Sequence, residues 1–144
     1  MIEKDTVRLL RECDAGVKMG VDSIDDVRNE VCNQDMKNIL VKCKKDHEAL
    51  AKEIEGALNR FSDDGKEPNP IAETMAKMKT EFKMRMKHCD KTIASLMTDG
   101  CNMGVKSLAR YLNEYAAADE DSKNITKRLI ALEEKLAQDL RAYL

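Results

Sequence analysis

The chain of 144 residues consists of two similar halves, and this duplication limits its possible folds more than any other feature. Residues 16–24, GVKMGVDSI, align with residues 100–108, GCNMGVKSL, at an offset of 84. Residues 47–58, HEALAKEIEGAL, align with residues 133–144, EEKLAQDLRAYL, at an offset of 86. A repeat of this length is one supersecondary unit that packs against its copy. Four of the six glycines hold equivalent places in the two halves: Gly16, Gly20, Gly100 and Gly104.

Each half has the pattern of two amphipathic helices, with apolar residues spaced by three or four. The predicted helices run from about Asp5 to Asn33, Met36 to Phe61, Ile93 to Tyr115 and Ile125 to Tyr143. A break at residues 33–35 supplies Asp35 as a capping residue. Four helices with apolar stripes of this width can bury them against one another. The sequence therefore predicts an all-α four-helix bundle.

The stretch between the halves contains an insert without a counterpart in the first half. Residues 61–70 are rich in turn formers, and residues 71–88 then carry an apolar stripe that includes three methionines. As a helix, this insert spans roughly 27 Å, close to the length of a bundle. It therefore either crosses back along the bundle, as in ferritin-like folds, or extends the third helix. Weak helix formers at residues 88–90 favour a break, and hence the crossover.

We therefore expect a single ferritin-like domain over residues 1–144. Its repeat halves are residues 5–61 and 89–144, joined by a linker and crossover helix over residues 62–88. The apolar stripe of the insert packs on its own bundle or serves as an interaction scaffold for a partner helix.

Charge and composition argue against several functional classes. The net charge is −2 with both signs interspersed, and aromatic residues are 3% of the chain, so no surface suited to nucleic acid is expected. No apolar stretch is long enough for a signal peptide or membrane span, which predicts a cytoplasmic protein without membrane contact. The five cysteines form no C-x-x-C pair and are interpreted as buried apolar residues. We expect a homo-oligomer, with a dimer favoured over larger assemblies.

A di-iron centre is not expected, because its ligand pattern is missing. Such a centre takes a Glu from each of two helices and a Glu-x-x-His motif from each of the other two. The residues three positions before His47 and His88 are Lys44 and Arg85. The sequence therefore predicts no cofactor and no enzymatic activity.

His47 stands at an inward position of an otherwise apolar stripe, and its repeat partner is Glu133. One interpretation is a transition-metal or small-ligand site formed by His47, Glu133, Cys43 and Asp14, with Cys13 or Cys101 completing it. The other is a hydrogen-bonded polar pair within the core, or a Glu133 displaced to the flank because Leu132 points inward. The G-x-x-x-G spacing of the repeated glycines indicates close approach of helix backbones or a small cavity.

The paired halves, the run Leu-Arg-Glu-Cys-Asp-Ala-Gly at residues 10–16, and the linker with its extra helix resemble a bacterial family of ferritin-like bundles known only as a domain of unknown function. The resemblance implies a ferritin-like fold and no established activity. Members of that family often carry an acidic residue directly after the glycine of this motif. Val17 and Cys101 stand at those places here, so the resemblance does not bring a metal site with it.

Overall fold

The computed structural model describes residues 2–66 and 89–144. Within these ranges the chain is all-helical and contains no strand, so the predicted all-α, four-helix class is confirmed. The insert at 71–88, with its predicted crossover helix and methionine stripe, lies outside the described residues. The helices are α1 (Ile2–Val27), α2 (Gln34–Asn59), α3 (Asp90–Glu114) and α4 (Glu120–Leu140), and a short 3-10 turn follows at Arg141–Tyr143.

Two predicted helix ends are corrected by the structure. Helix α1 ends at Val27 and not at Asn33, because the backbone closes into a turn in which the Glu30 amide donates to the Val27 carbonyl. The cap of α2 is Asn33 and not Asp35. Its side-chain oxygen accepts the Met36 amide at 3.0 Å, as an N-cap side chain does for the third residue of a helix.

Helix α3 begins at Asp90, after Cys89 in an extended conformation with φ −111° and ψ 103°. The third helix is therefore not continuous through Cys89, which argues against the long-helix alternative. The start of α4 carries a regular cap, since Asp119 accepts the Ser122 amide at 2.8 Å.

Contacts at the helix ends fix the direction of each helix. The Asp90 carboxylate accepts the backbone amides of Cys32 and Asn33, so α3 begins beside the start of α2. The Asp119 amide donates to the Thr6 hydroxyl at 2.8 Å, so α4 begins beside the start of α1. Helix α2 is thus parallel to α3, and α1 is parallel to α4. Helix α1 packs on the other three helices, and α2 packs on α1 and α4.

The core consists of two apolar clusters stacked along the bundle. One cluster includes Ile24, Met36 and Cys43, and the other includes Val17 and Leu50. Since Cys43 and Leu50 belong to different clusters, the residue between them at the next inward position of α2, His47, lies where the clusters meet. No helix among the described residues is long and apolar enough to cross a membrane.

Candidate functional site

The inward stripe of α2 brings His47 into the centre of the bundle. The buried positions of this helix alternate by four and three, and His47 is 1% exposed. Such burial is unusual for an imidazole without partners, because a polar ring loses its water on folding. The buried residues of α2 are Met36, Leu40, Cys43, His47, Leu50, Ile54, Ala57 and Leu58.

Both ring nitrogens of His47 have partners. Nδ1 lies 2.8 Å from the backbone carbonyl oxygen of Cys43, one turn earlier in α2, and Nε2 lies 2.9 Å from Oε1 of Glu133 in α4. A carbonyl oxygen only accepts, so Nδ1 carries a proton. The Glu133 side chain is 13% exposed, so this contact is largely shielded from water.

The contact between His47 and Glu133 requires a second proton. With Nδ1 protonated, a neutral imidazole would direct its Nε2 lone pair at a carboxylate oxygen that also only accepts. Burial alone would lower the pKa of His47, but hydrogen bonds to Cys43 and Glu133 and the charge of Glu133 raise it to about 10. At neutral pH the pair is therefore an imidazolium donating to a carboxylate.

Two buried thiols flank this pair on different helices. Cys43 Sγ lies 3.4 Å from His47 Nδ1, on the same edge of the ring as the Cys43 carbonyl. Cys101, on α3, lies beside Glu133, and burial, the charge of Glu133 and a hydrogen bond to it raise the pKa of this thiol above its ordinary value. Cys101 is thus a neutral neighbour of the pair. We call Cys43, His47, Cys101 and Glu133 the polar cluster.

Two repeat-equivalent glycines border the polar cluster. A Cβ atom on Gly20 would lie 2.8 Å from Cδ2 and 2.9 Å from Nε2 of His47. Gly104 faces Glu133, and a Cβ atom there would meet its carboxylate at an ordinary 3.7 Å. Backbone approach at Gly20 therefore makes room for the imidazole ring. The sequence indicated close approach at these glycines but not that a side chain fills the space.

The fourth predicted residue, Asp14, lies elsewhere. Its carboxylate accepts the Lys66 amide at 2.9 Å and pairs with Lys18 Nζ at 2.9 Å. Asp14 precedes Gly20 by six residues, or roughly 9 Å along α1, so it faces a different level of the bundle. Gly65, with φ 90°, packs against the same carboxylate, and Asp14 therefore anchors the chain that follows α2.

The geometry does not provide a mononuclear metal site. Among the described residues, no group of three or more His, Cys, Asp and Glu side chains is arranged to hold a metal ion. The physical reason is the imidazole ring itself: Cys43 faces Nδ1 while Glu133 faces Nε2, so a metal on one nitrogen is out of reach of the other partner.

Sequence reasoning also missed several polar contacts. The buried hydroxyl of Thr126 lies 3.2 Å from Cys13 Sγ and donates to the Ser122 carbonyl at 2.8 Å. Burial, only partly offset by the Thr126 hydrogen bond, raises the pKa of Cys13 to about 12. Thr6 is 1% exposed, and no sequence pattern indicates its hydrogen bond to Asp119. The signal that could have indicated these buried threonines is their place in the three- and four-residue spacing of the apolar residues of their helices.

Comparison of the chain with protein-family models, curated proteins and solved structures gives no match in any of the three. The resemblance to a ferritin-like family therefore rests on the sequence motifs alone.

Proposed function

We propose that the protein is a non-catalytic ferritin-like bundle in which the polar cluster is a structural element and no metal centre is present. The observation that carries this proposal is that His47 is buried and both of its ring nitrogens are hydrogen-bonded within the protein. Both its nitrogens are paired, and the residue is 1% exposed. A group that acts as a general base or ligand needs a lone pair that substrate or metal can reach.

The directions of the helices support the ferritin-like part of the proposal. In a simple up-down-up-down bundle, consecutive helices are antiparallel, whereas a long crossover makes the second and third helices parallel. The contacts of Asp90 with Cys32 and Asn33 make α2 and α3 parallel in this chain. A connection that joins opposite ends of the bundle fits an insert of the length of residues 71–88.

Contacts at repeat-equivalent positions support the duplication. Gly20 faces His47 in the first half, and Gly104 faces Glu133 in the second. The same relation between two helices thus recurs at the offsets of 84 and 86 that relate the halves. The two side chains then meet each other at 2.9 Å, as residues near a pseudo-two-fold axis do.

The rival function is binding of a transition metal or small ligand at the polar cluster. One specific observation favours it: the Cys43 carbonyl fixes Nδ1–H, which is how proteins orient an imidazole that ligates through Nε2. A metal at Nε2 would displace the shared proton and take Glu133 as its second ligand. Such a site needs a third ligand, and Cys101 would have to turn toward it.

Metal analysis of the natively purified protein distinguishes these functions. The proposal predicts no stoichiometric Fe, Mn or Zn and no calorimetric heat on titration with any of the three. A stoichiometric metal that is lost in His47→Ala would overturn it in favour of the rival. Asp14→Ala is the matched control, because Asp14 lies outside the polar cluster and its loss leaves metal content unchanged in either case.

A further inference from the structure

Two exposed cysteines lie at one end of the bundle, apart from the polar cluster. Cys32 is in the segment between α1 and α2, and Cys89 directly precedes α3; both are free thiols. This corrects the expectation that the cysteines are all buried. The other three are enclosed in the core: Cys13, Cys43 and Cys101.

Asp90 holds the two exposed cysteines in proximity. Its Oδ1 accepts the Cys32 amide at 2.8 Å and its Oδ2 accepts the Asn33 amide at 2.9 Å, while Cys89 is its chain neighbour. The path from Cα of Cys32 through this hydrogen bond and the Asp90 side chain to Cα of Cys89 is about 12 Å long, and the straight distance is shorter because the path bends.

The remaining separation can be closed without unwinding a helix. A disulfide needs its two Cα atoms at about 4.4–6.8 Å, so from this upper limit the two segments would approach by at most roughly 5 Å to reach that range. Both cysteines lie outside the helices. The Cys32 thiol is 4.0 Å from the Glu30 carbonyl, a weak contact that costs little to break.

The surroundings of Cys89 favour its thiolate. The pKa of Cys89 is lowered by hydrogen bonds from the side chain and backbone of Thr92 and by the amide and charge of Lys91. The thiol does not form a regular side-chain cap of α3. A thiolate, and not a thiol, is the attacking nucleophile in oxidation by peroxide. Burial has the opposite effect on Cys13 and Cys101, whose pKa values are raised.

We propose that Cys89 and Cys32 are a peroxide-sensitive thiol pair that closes into an intramolecular disulfide. The Cys89 thiolate attacks a hydroperoxide; an S–O bond forms, the O–O bond breaks, and the departing oxygen takes a proton to leave as water or an alcohol. The Cys32 thiolate then attacks the Cys89 sulfur; an S–S bond forms, the S–O bond breaks, and hydroxide leaves and is protonated to water. The two sulfurs are oxidised by two electrons in total, and the peroxide is reduced by two.

The disulfide would join the turn between α1 and α2 to the start of α3. It thereby ties the first repeat to the second at the end of the bundle where the Asp90 hydrogen bonds already join them. A dithiol reductant reverses the step by exchange. This inference does not depend on the proposed function.

The test is hydrogen peroxide treatment of the dilute folded protein, followed by alkylation under denaturing conditions and mass spectrometry. We expect a monomer with three alkylated thiols of the original five and a loss of two hydrogens. A tryptic digest should link residues 29–37 to residues 88–91, and dithiothreitol should restore five alkylated thiols.

Single variants separate the two roles. Cys32→Ser should accumulate a sulfenic acid at Cys89 that dimedone traps, whereas Cys89→Ser should keep Cys32 reduced over the same time. The proposal is overturned if all five thiols survive the treatment, if only disulfide-linked dimers form, or if Cys32 is oxidised equally fast without Cys89. An unchanged circular dichroism spectrum of each variant establishes that folding is not the cause.

Discussion

Replacing Gly20 by alanine tests the packing of the polar cluster most directly. The new Cβ would lie 2.8 Å from Cδ2 of His47, about 0.6 Å short of an ordinary contact. The ring cannot swing away freely, because its two nitrogens are bonded to the Cys43 carbonyl and to Glu133. The substitution must therefore displace the ring or α1 itself.

The expected magnitude is a balance of two opposing terms. Replacing a mid-helix glycine by alanine stabilises a helix by about 0.5–1 kcal/mol. Overpacking a well-filled core costs about 1–3 kcal/mol, and more if a buried charge loses its partner. We expect Gly20→Ala to lower the free energy of unfolding by about 1–2 kcal/mol, or the melting temperature by roughly 3–8 °C.

The repeat-equivalent glycine is the matched control. An alanine Cβ at Gly104 would meet the Glu133 carboxylate at an ordinary 3.7 Å, so only the helix term applies there. We expect Gly104→Ala to raise the free energy of unfolding by about 0.5–1 kcal/mol. Equivalent substitutions in the two halves should thus change stability in opposite directions, as measured by urea denaturation at neutral pH.

A double substitution checks that the imidazole ring is the cause. In a His47→Ala background the ring is gone, and Gly20→Ala should become neutral or stabilising. Tight packing of Gly20 against His47 is refuted if Gly20→Ala stabilises the otherwise unchanged protein as much as Gly104→Ala does. It is also refuted if the penalty of Gly20→Ala persists at full size without His47.

Three further predictions concern the pH dependence, the glycine packed against Asp14, and one exposed ion pair. Because the pKa of His47 in the folded state is raised to about 10 from its ordinary 6.5, its contribution to the free energy of unfolding is complete below pH 6.5 and is lost as the pH rises toward 10. Urea titrations should therefore show that the free energy of unfolding falls by about 2 kcal/mol between pH 6.5 and 8.5. His47→Gln should remove most of this pH dependence. Gly65→Ala should lower the free energy of unfolding by about 1–3 kcal/mol in the same assay, because φ is 90° and the new Cβ would collide with the Asp14 carboxylate. Gly56→Ala is the control, because a Cβ atom at that position lies in open space. Breaking the exposed ion pair of Arg128 by Glu53→Gln should change stability by less than about 1 kcal/mol, and a larger loss would contradict its assignment as a solvent-screened pair.

Periodicity was sufficient to predict four helices and the inward face of α2. The alternation of four and three in α2 identified its buried positions from Met36 to Ala57, because a helix that buries one face repeats at that spacing. Periodicity did not predict the C-terminal end of α1 correctly. Val31 is buried like a member of the α1 stripe, but it lies beyond the turn, so its apolar character extended the predicted helix to Asn33.

The contact of Glu133 with His47 could not be derived from spacing alone. Leu132 and Glu133 are adjacent, and the periodicity of α4 allows either to point inward. The choice depends on a partner 86 positions away, whose ring nitrogen supplies a hydrogen bond. The exposure of Cys32 and Cys89 was missed for a related reason: composition favours buried cysteines, and only the tertiary position of a turn decides otherwise.

The polar cluster also explains why two similar halves would need different residues at one equivalent place. Near a pseudo-two-fold axis a residue meets its own counterpart, so two glutamates would repel when ionised and two histidines would repel when protonated. With His47 opposite Glu133, one proton satisfies both side chains at 2.9 Å. The difference also accounts for the unequal glycines, since the planar ring at His47 requires the close approach at Gly20, whereas the flexible Glu133 leaves ordinary space at Gly104. Under the proposed duplication, the two halves thus differ at one equivalent place and hold an asymmetric, charge-complementary pair in the core.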